Sequence, residues 1–132
     1  MNAFLVELAN EPGELARITE AIAEKGIDIT GVSGAACGSS GRLAVMTDND
    51  AATREALGSA GWTFEEHEAT EVSLRAQPGT LAQAARRLAD AGVNVEAVMP
   101  IGMDGTNVKV VFVTADGSGA RSALQAMTAG SM

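Results

Sequence analysis

The chain opens on a period of two. Phe4, Val6 and Leu8 alternate with Leu5 and Glu7, which predicts a strand with one face buried. The period then lengthens: Leu15, Ile18 and Ile22 recur at helical spacing while Arg17, Glu20 and Glu24 fall on another side, so a helix lays an apolar stripe on a sheet. Gly26 stands where a helix end takes a left-handed residue, and Ile27-Asp28-Ile29 follows as the start of a strand. "GSSG" at 38–41 predicts a hairpin with Leu43 to Thr47 as its return strand. Asp48, Asn49 or Asp50 then caps a second helix carrying Thr53, Ala56, Leu57 and Ala60. "WTFEEHE" reads as a further strand with Trp62 and Phe64 on one face.

The order then repeats. At an offset of 66, Pro12/Pro78, Gly13/Gly79, Leu15/Leu81, Gly26/Gly92 and Val32/Val98 coincide; at 67, "VMTDNDAATREAL" (45–57) aligns with "FVTADGSGARSAL" (112–124). In the second copy Val72 and Leu74 give the strand, and Leu81, Ala84, Ala85 and Leu88 the helical stripe. Val93-Asn94-Val95 starts the next strand, "GMDGTN" (102–107) makes the hairpin, and Val108 to Thr114 returns. A last helix carries Ala120, Ala123, Leu124 and Met127. Two halves are expected, 1–69 and 70–132. Each is strand-helix-strand-strand-helix-strand, an α+β, ferredoxin-like βαββαβ repeat with an antiparallel sheet and helices on one face. The second is expected to lack its last strand, because only Thr128 to Met132 follow Met127. Its sheet then has an edge to cover, by a partner chain or by residues 62–76, which hold no Gly, Pro or Asn and read as extended.

Composition narrows the chemistry. The 132 residues are 46% hydrophobic and 20% charged, a globular balance, with a net charge of −8. Without a basic cluster, and with one Trp, three Phe and no Tyr, neither phosphate neutralisation nor base stacking is available, so no nucleic-acid partner is expected. The lone Cys37 excludes an internal disulfide and reads as an inert thiol. His67, the single histidine, lies among Glu65, Glu66 and Glu68 and reads as a solvated strand-end residue, not a metal ligand. The Met residues read as core filling or helix-end packing. No basic leader or apolar run of membrane-spanning length appears, so a cytoplasmic protein without a membrane partner is expected. No Ser-His-Asp set, paired cysteine, phosphate loop or cofactor fingerprint is present, so neither catalysis nor a cofactor is expected.

The repeated Pro-Gly remains to be explained. Proline presets the first helical turn, and glycine keeps side chains away from the N–H groups of Gly13, Glu14 and Leu15, and of Gly79, Thr80 and Leu81, at the positive end of a helix. Such a terminus suits a carboxylate. Plain turn chemistry is the bland alternative. Likewise Glu11 and Glu14 have a simple role as acidic charge in a helix's first turn.

"VELANEPGELARITEAIAEKGIDITGV" and "VSLRAQPGTLAQAARRLADAGVNVEAV" together make the chain resemble the ACT domain family, as two copies covering nearly all of it. The resemblance implies a regulatory protein that binds an amino acid between two modules, works as a homodimer or higher oligomer, and acts on another copy of itself or on a partner enzyme of amino-acid metabolism. It further implies contacts from the turn Asn10, Glu11, Pro12, Gly13, Glu14 and Leu15 with Asn94, and from Gln77, Pro78, Gly79, Thr80 and Leu81 with Asp28. The second site is expected to be weaker, because Ala76 stands where Asn10 does. The alternatives are a ligand-free scaffold acting through oligomerisation and, last, an enzyme.

Overall fold

The computed structural model describes residues 1–130, and of residues 126 and 128–130 the backbone alone. The chain divides into two compact units, Asn2–Glu66 and the chain from His67 onward together with Met1. The first holds β1 (Asn2–Ala9), α1 (Glu14–Glu24), β2 (Ile29–Cys37), β3 (Ser40–Thr47) and α2 (Asp50–Ser59), and it ends in the opening residues of β4 (Phe64–Arg75). The second continues β4 and adds α3 (Thr80–Asp90), β5 (Ala97–Asp104), β6 (Asn107–Thr114) and α4 (Gly117–Gly130). The fold is α+β, with six antiparallel strands and four helices in a βαββαβ-type pattern used twice. Residues 62–76, expected to be extended, supply one twelve-residue strand that closes the first pattern and opens the second. Helix α4 takes up residues 128–130; the remainder of the tail, expected to form no strand, lies outside the described residues.

In the first unit β1 lies between β3 and the start of β4: Val6 stands opposite Leu43, and the Glu7 N–H donates to the Thr63 carbonyl at 3.0 Å. β2 borders β3 on its other side. Phe4, Val6, Leu43 and Val45 meet Ile18, Ile22, Ala56 and Leu57 in one cluster, with Trp62 and Phe64 packed against it. The second unit repeats this with β6 between β4 and β5, and its cluster gathers Val72, Leu74, Val110 and Phe112 under Ala84, Leu88, Ala120 and Leu124. Each fully buried aliphatic or aromatic side chain contributes roughly 1.5–3 kcal/mol. Alternation understates the burial of β1, since Ala3 and Leu5 are buried as well as Phe4 and Val6.

The helix ends follow their glycines. Gly26 (φ +72°) and Gly92 (φ +74°) donate to Ala23 and Ala89, while the next residues, Ile27 and Val93, donate to Ile22 and Leu88. This paired pattern satisfies the last carbonyls and presses an apolar side chain onto the helix it leaves. Val93 is consumed by that contact. The strand expected at Val93 to Val95 therefore begins only at Ala97, once the Glu96 N–H has reached the Val113 carbonyl at 2.8 Å.

One expectation about the helices is corrected. Ile18, Ile22, Ala84 and Leu88 form the buried stripes, but Leu15 is 56% and Leu81 50% exposed. Both sit in the first turn of their helix.

A polar clasp ties the first unit's chain start to its last strand. Arg54 donates from Nε and Nη2 to the two Glu66 oxygens at 2.6 and 2.7 Å, and Asn2 Nδ2 adds a bond at 2.7 Å. The Arg54 bond, helped by Asn2, holds the Glu66 carboxyl below its ordinary range against the opposing effect of partial burial. A depressed folded-state value makes this stabilisation complete above the ordinary carboxylate range and lost as pH falls through the lower folded value. Urea midpoints should therefore decline between about pH 5 and pH 3. Arg54→Ala should lower the midpoint at pH 7 and make its acid decline shallower. In the core, Ile22→Ala and Leu88→Ala should each cost about 2–5 kcal/mol by the same assay.

Candidate functional site

Four helices start in two different ways. Asn49 Oδ1 accepts the Ala52 N–H at 3.0 Å to cap α2, and Asp116 Oδ1 accepts the Gly119 N–H at 2.9 Å at the start of α4. Helices α1 and α3 have no side-chain cap. Each begins at a left-handed glycine, Gly13 (φ +90°, ψ −9°) or Gly79 (φ +91°, ψ −10°). The Glu14 N–H approaches the Glu11 carbonyl at 3.4 Å, which makes Glu11 to Glu14 a type II turn with proline second and glycine third. The first helical bonds then run from Arg17 N–H to the Gly13 carbonyl at 2.9 Å and from Gln83 N–H to the Gly79 carbonyl at 3.0 Å.

Two details of the sequence reading change. Pro12 and Pro78 precede the glycine cap and shape the turn, not the first helical turn. The Glu14 N–H, expected to face outward, is directed at the Glu11 carbonyl, so Leu15 and Ala16 carry the donors left over. A Cβ built at Gly13 or Gly79 would meet nothing within 4 Å. Glycine is required there by φ, and the space in front of it is open.

In the first unit this turn borders a cleft of about 620 Å³, open on one side. Asn10, Glu11, Glu14 and Leu15 line it, together with Leu8 of β1, Thr19 of α1, and Ile29, Val32 and Leu43 from the β2–β3 hairpin. Pro12, Gly13 and Asp28 are not among its lining residues. Asn10 is fixed to the hairpin tip: its N–H donates to the Ser39 carbonyl and its Nδ2 to the Gly38 carbonyl, both at 2.9 Å. Arg17 donates to both Glu14 oxygens at 3.0 and 3.2 Å and lies over the Trp62 ring, 4.6 Å from its centroid. The bond from Arg17 holds the Glu14 carboxyl below its ordinary range, and the same pairing raises Arg17. Glu14, beside a helix start proposed for an anion, is thus balanced by a cation.

The second unit's turn is spent differently. Thr80, which corresponds to Glu14, donates its hydroxyl to the carbonyls of Arg75 at 2.8 Å and Gln77 at 3.3 Å. Gln77, Pro78 and Gly79 are exposed, as is Asn94 after the helix-ending glycine. In the first unit Asp28 is held by Asp48, which accepts its N–H through Oδ1 at 3.1 Å and donates to its carbonyl at 3.0 Å, leaving the residue exposed. His67 is half-buried and four residues into β4, with a carboxylate oxygen of Glu96 within 4.8 Å, so it is not the solvated strand-end residue its neighbours implied. Met46, Met99 and Met127 are buried, whereas Met1 and Met103 are exposed.

Sequence reading missed the apolar wall. A signal was present: Val32 and Val98 are identical across the repeat, and the structure leaves both exposed, at 48% and 42%, in company with Leu15 and Leu81. Each unit shows the same Leu and Val.

No family model matches the sequence, and no curated protein matches it. Solved structures do share its fold. A protein from Bacteroides thetaiotaomicron superposes with a TM-score of 0.78 at 20% identity, over 96% of this chain and 87% of that one. The ligand-free regulatory subunit of aspartate kinase from Thermus thermophilus gives 0.64 at 21% identity, over 95% and 90%. A chain from a structure of aspartokinase alpha and beta subunits gives 0.65 at 17% identity, over 96% and 92%. The fold is ACT-like. Among the described residues no helix is long and apolar enough to cross a membrane.

Gly13→Ala should cost about 1 kcal/mol in urea unfolding through backbone strain alone, since its Cβ meets no atom. Gly58→Ala, inside α2 and equally uncrowded, should instead stabilise by about 0.5–1 kcal/mol. Arg17→Ala should shift Trp62 emission to longer wavelength, as the guanidinium over the ring gives way to water.

Proposed function

We propose that the protein is a regulatory amino-acid sensor built from two ACT modules and is not a catalyst. The observation that carries this reading is the difference between helix starts: α2 and α4 are capped by their own side chains, while α1 and α3 are left to a left-handed glycine, and the α1 start opens beside an apolar cleft. An amino acid offers such a place a carboxylate for the Leu15 and Ala16 N–H groups, and its side chain meets the cleft. The regulatory subunits of aspartate kinase that share the fold support a regulatory role.

In this reading the ligand lies at an interface between modules. The Asn10 to Leu15 turn works with Asn94 in the stronger site, and the Gln77 to Leu81 turn with Asp28 in the weaker one. The Thr80 hydroxyl, already bonded within its own turn, supports that ranking. Binding would tighten the modules and change the affinity for a second copy or for a partner enzyme. The scaffold reading has an observation of its own: both units expose the same leucine and valine, the kind of surface that association buries.

A thermal-shift screen of the twenty amino acids separates the two readings. A ligand of the native state at a hundred times its dissociation constant adds about 2.7 kcal/mol of apparent stability, a shift of several degrees. The sensor predicts such a shift with at least one amino acid, smaller in Asn10→Ala; the scaffold predicts none.

A further inference from the structure

We infer that the cleft beside α1 selects an amino acid with a branched aliphatic side chain. This rests on the amino-acid reading above and adds the chemical class of the ligand. The cleft walls are Leu8, Leu15, Ile29, Val32 and Leu43. Leu15 and Val32 are 56% and 48% exposed, so about half the surface of each is left for an occupant to cover.

Most polar side chains around those walls are engaged with the protein, the exposed Glu11 carboxylate and Ser33 apart. The Thr19 hydroxyl donates to the Leu15 carbonyl at 2.8 Å. Asn10 Nδ2 donates to Gly38, Glu14 is paired with Arg17, and Arg42 donates to Glu65 at 2.9 Å. A ligand hydroxyl, amide or charge seated against these five aliphatic side chains would lose water without a hydrogen bond in return, a penalty that an aliphatic side chain avoids. The walls hold no aromatic ring for a flat ligand to stack on. A volume of about 620 Å³ leaves ample room for leucine, isoleucine or valine, whereas alanine or glycine would leave most of the wall in water.

The test is calorimetric titration of the full chain with leucine, isoleucine, valine, alanine, serine, aspartate and phenylalanine, with sedimentation velocity in parallel. The branched side chains should bind at least about tenfold more tightly than alanine, each methylene in an apolar pocket being worth roughly tenfold or more. Val32→Asp should remove that preference while leaving the unliganded melting temperature in place, because the side chain is half-exposed. Serine, aspartate or phenylalanine binding as tightly as leucine would overturn the aliphatic class and leave the amino-acid reading standing. Failure of every amino acid to bind would remove both. If Val32→Asp also turned a dimer into a monomer in that case, the cleft would be a contact between copies of the chain.

Discussion

A glycine held at φ near +90° determines where α1 and α3 begin, and much else follows from that constraint. The turn Glu11-Pro12-Gly13-Glu14 reverses the chain from strand to helix within four residues, and its third position is one that L side chains reach only under strain. The residue that would ordinarily cap the helix is therefore one without a side chain. Once the cap is glycine, the first helical N–H groups have no side-chain acceptor. At the other end, Gly26 and Gly92 meet the same conformational need, but there the last carbonyls are satisfied by the chain itself. The molecule closes one end of each of these helices and leaves the other bare.

Core packing makes that arrangement rigid. Ile18 and Ile22 in one unit, and Ala84 and Leu88 in the other, are completely buried against β strands whose apolar residues alternate to meet them. Leu15 and Leu81, in the first turn, stay exposed although they share the helical stripe. In the first unit the start of α1, the end of β1 and the β2–β3 hairpin enclose the cleft. Arg17 adds local order there by bridging Glu14 and Trp62.

Much of this was legible in the residues. The offset of 66 exposed the repetition, alternation and helical spacing gave the elements, and Gly26 and Gly92 gave the ends of α1 and α3. A run without Gly, Pro or Asn marked 62–76 as extended, though not that the two strands expected there are one, β4. Other features were not legible because they depend on where an element stops relative to its neighbours. Periodicity placed Leu15 with Ile18 and Ile22, but it cannot tell that Leu15 borders an open cleft and not the packed core. It likewise assigned Val93 to a strand, when the helix it follows had claimed that side chain. Proline at a helix start fits two local geometries, and only the φ of the following glycine distinguishes them. The cleft wall is drawn from four separate elements, so no single motif announced it.

The amide hydrogens at the uncapped start of α1 are read directly by amide-resolved NMR. In spectra of the 15N-labelled protein titrated with leucine, the Leu15 and Ala16 amides should move as hydrogen bonds to a carboxylate form, together with Val32, while Ala52 beneath its Asn49 cap stays in place. Leucine that binds while Leu15 and Ala16 remain still, with the movement gathered elsewhere, would contradict the account.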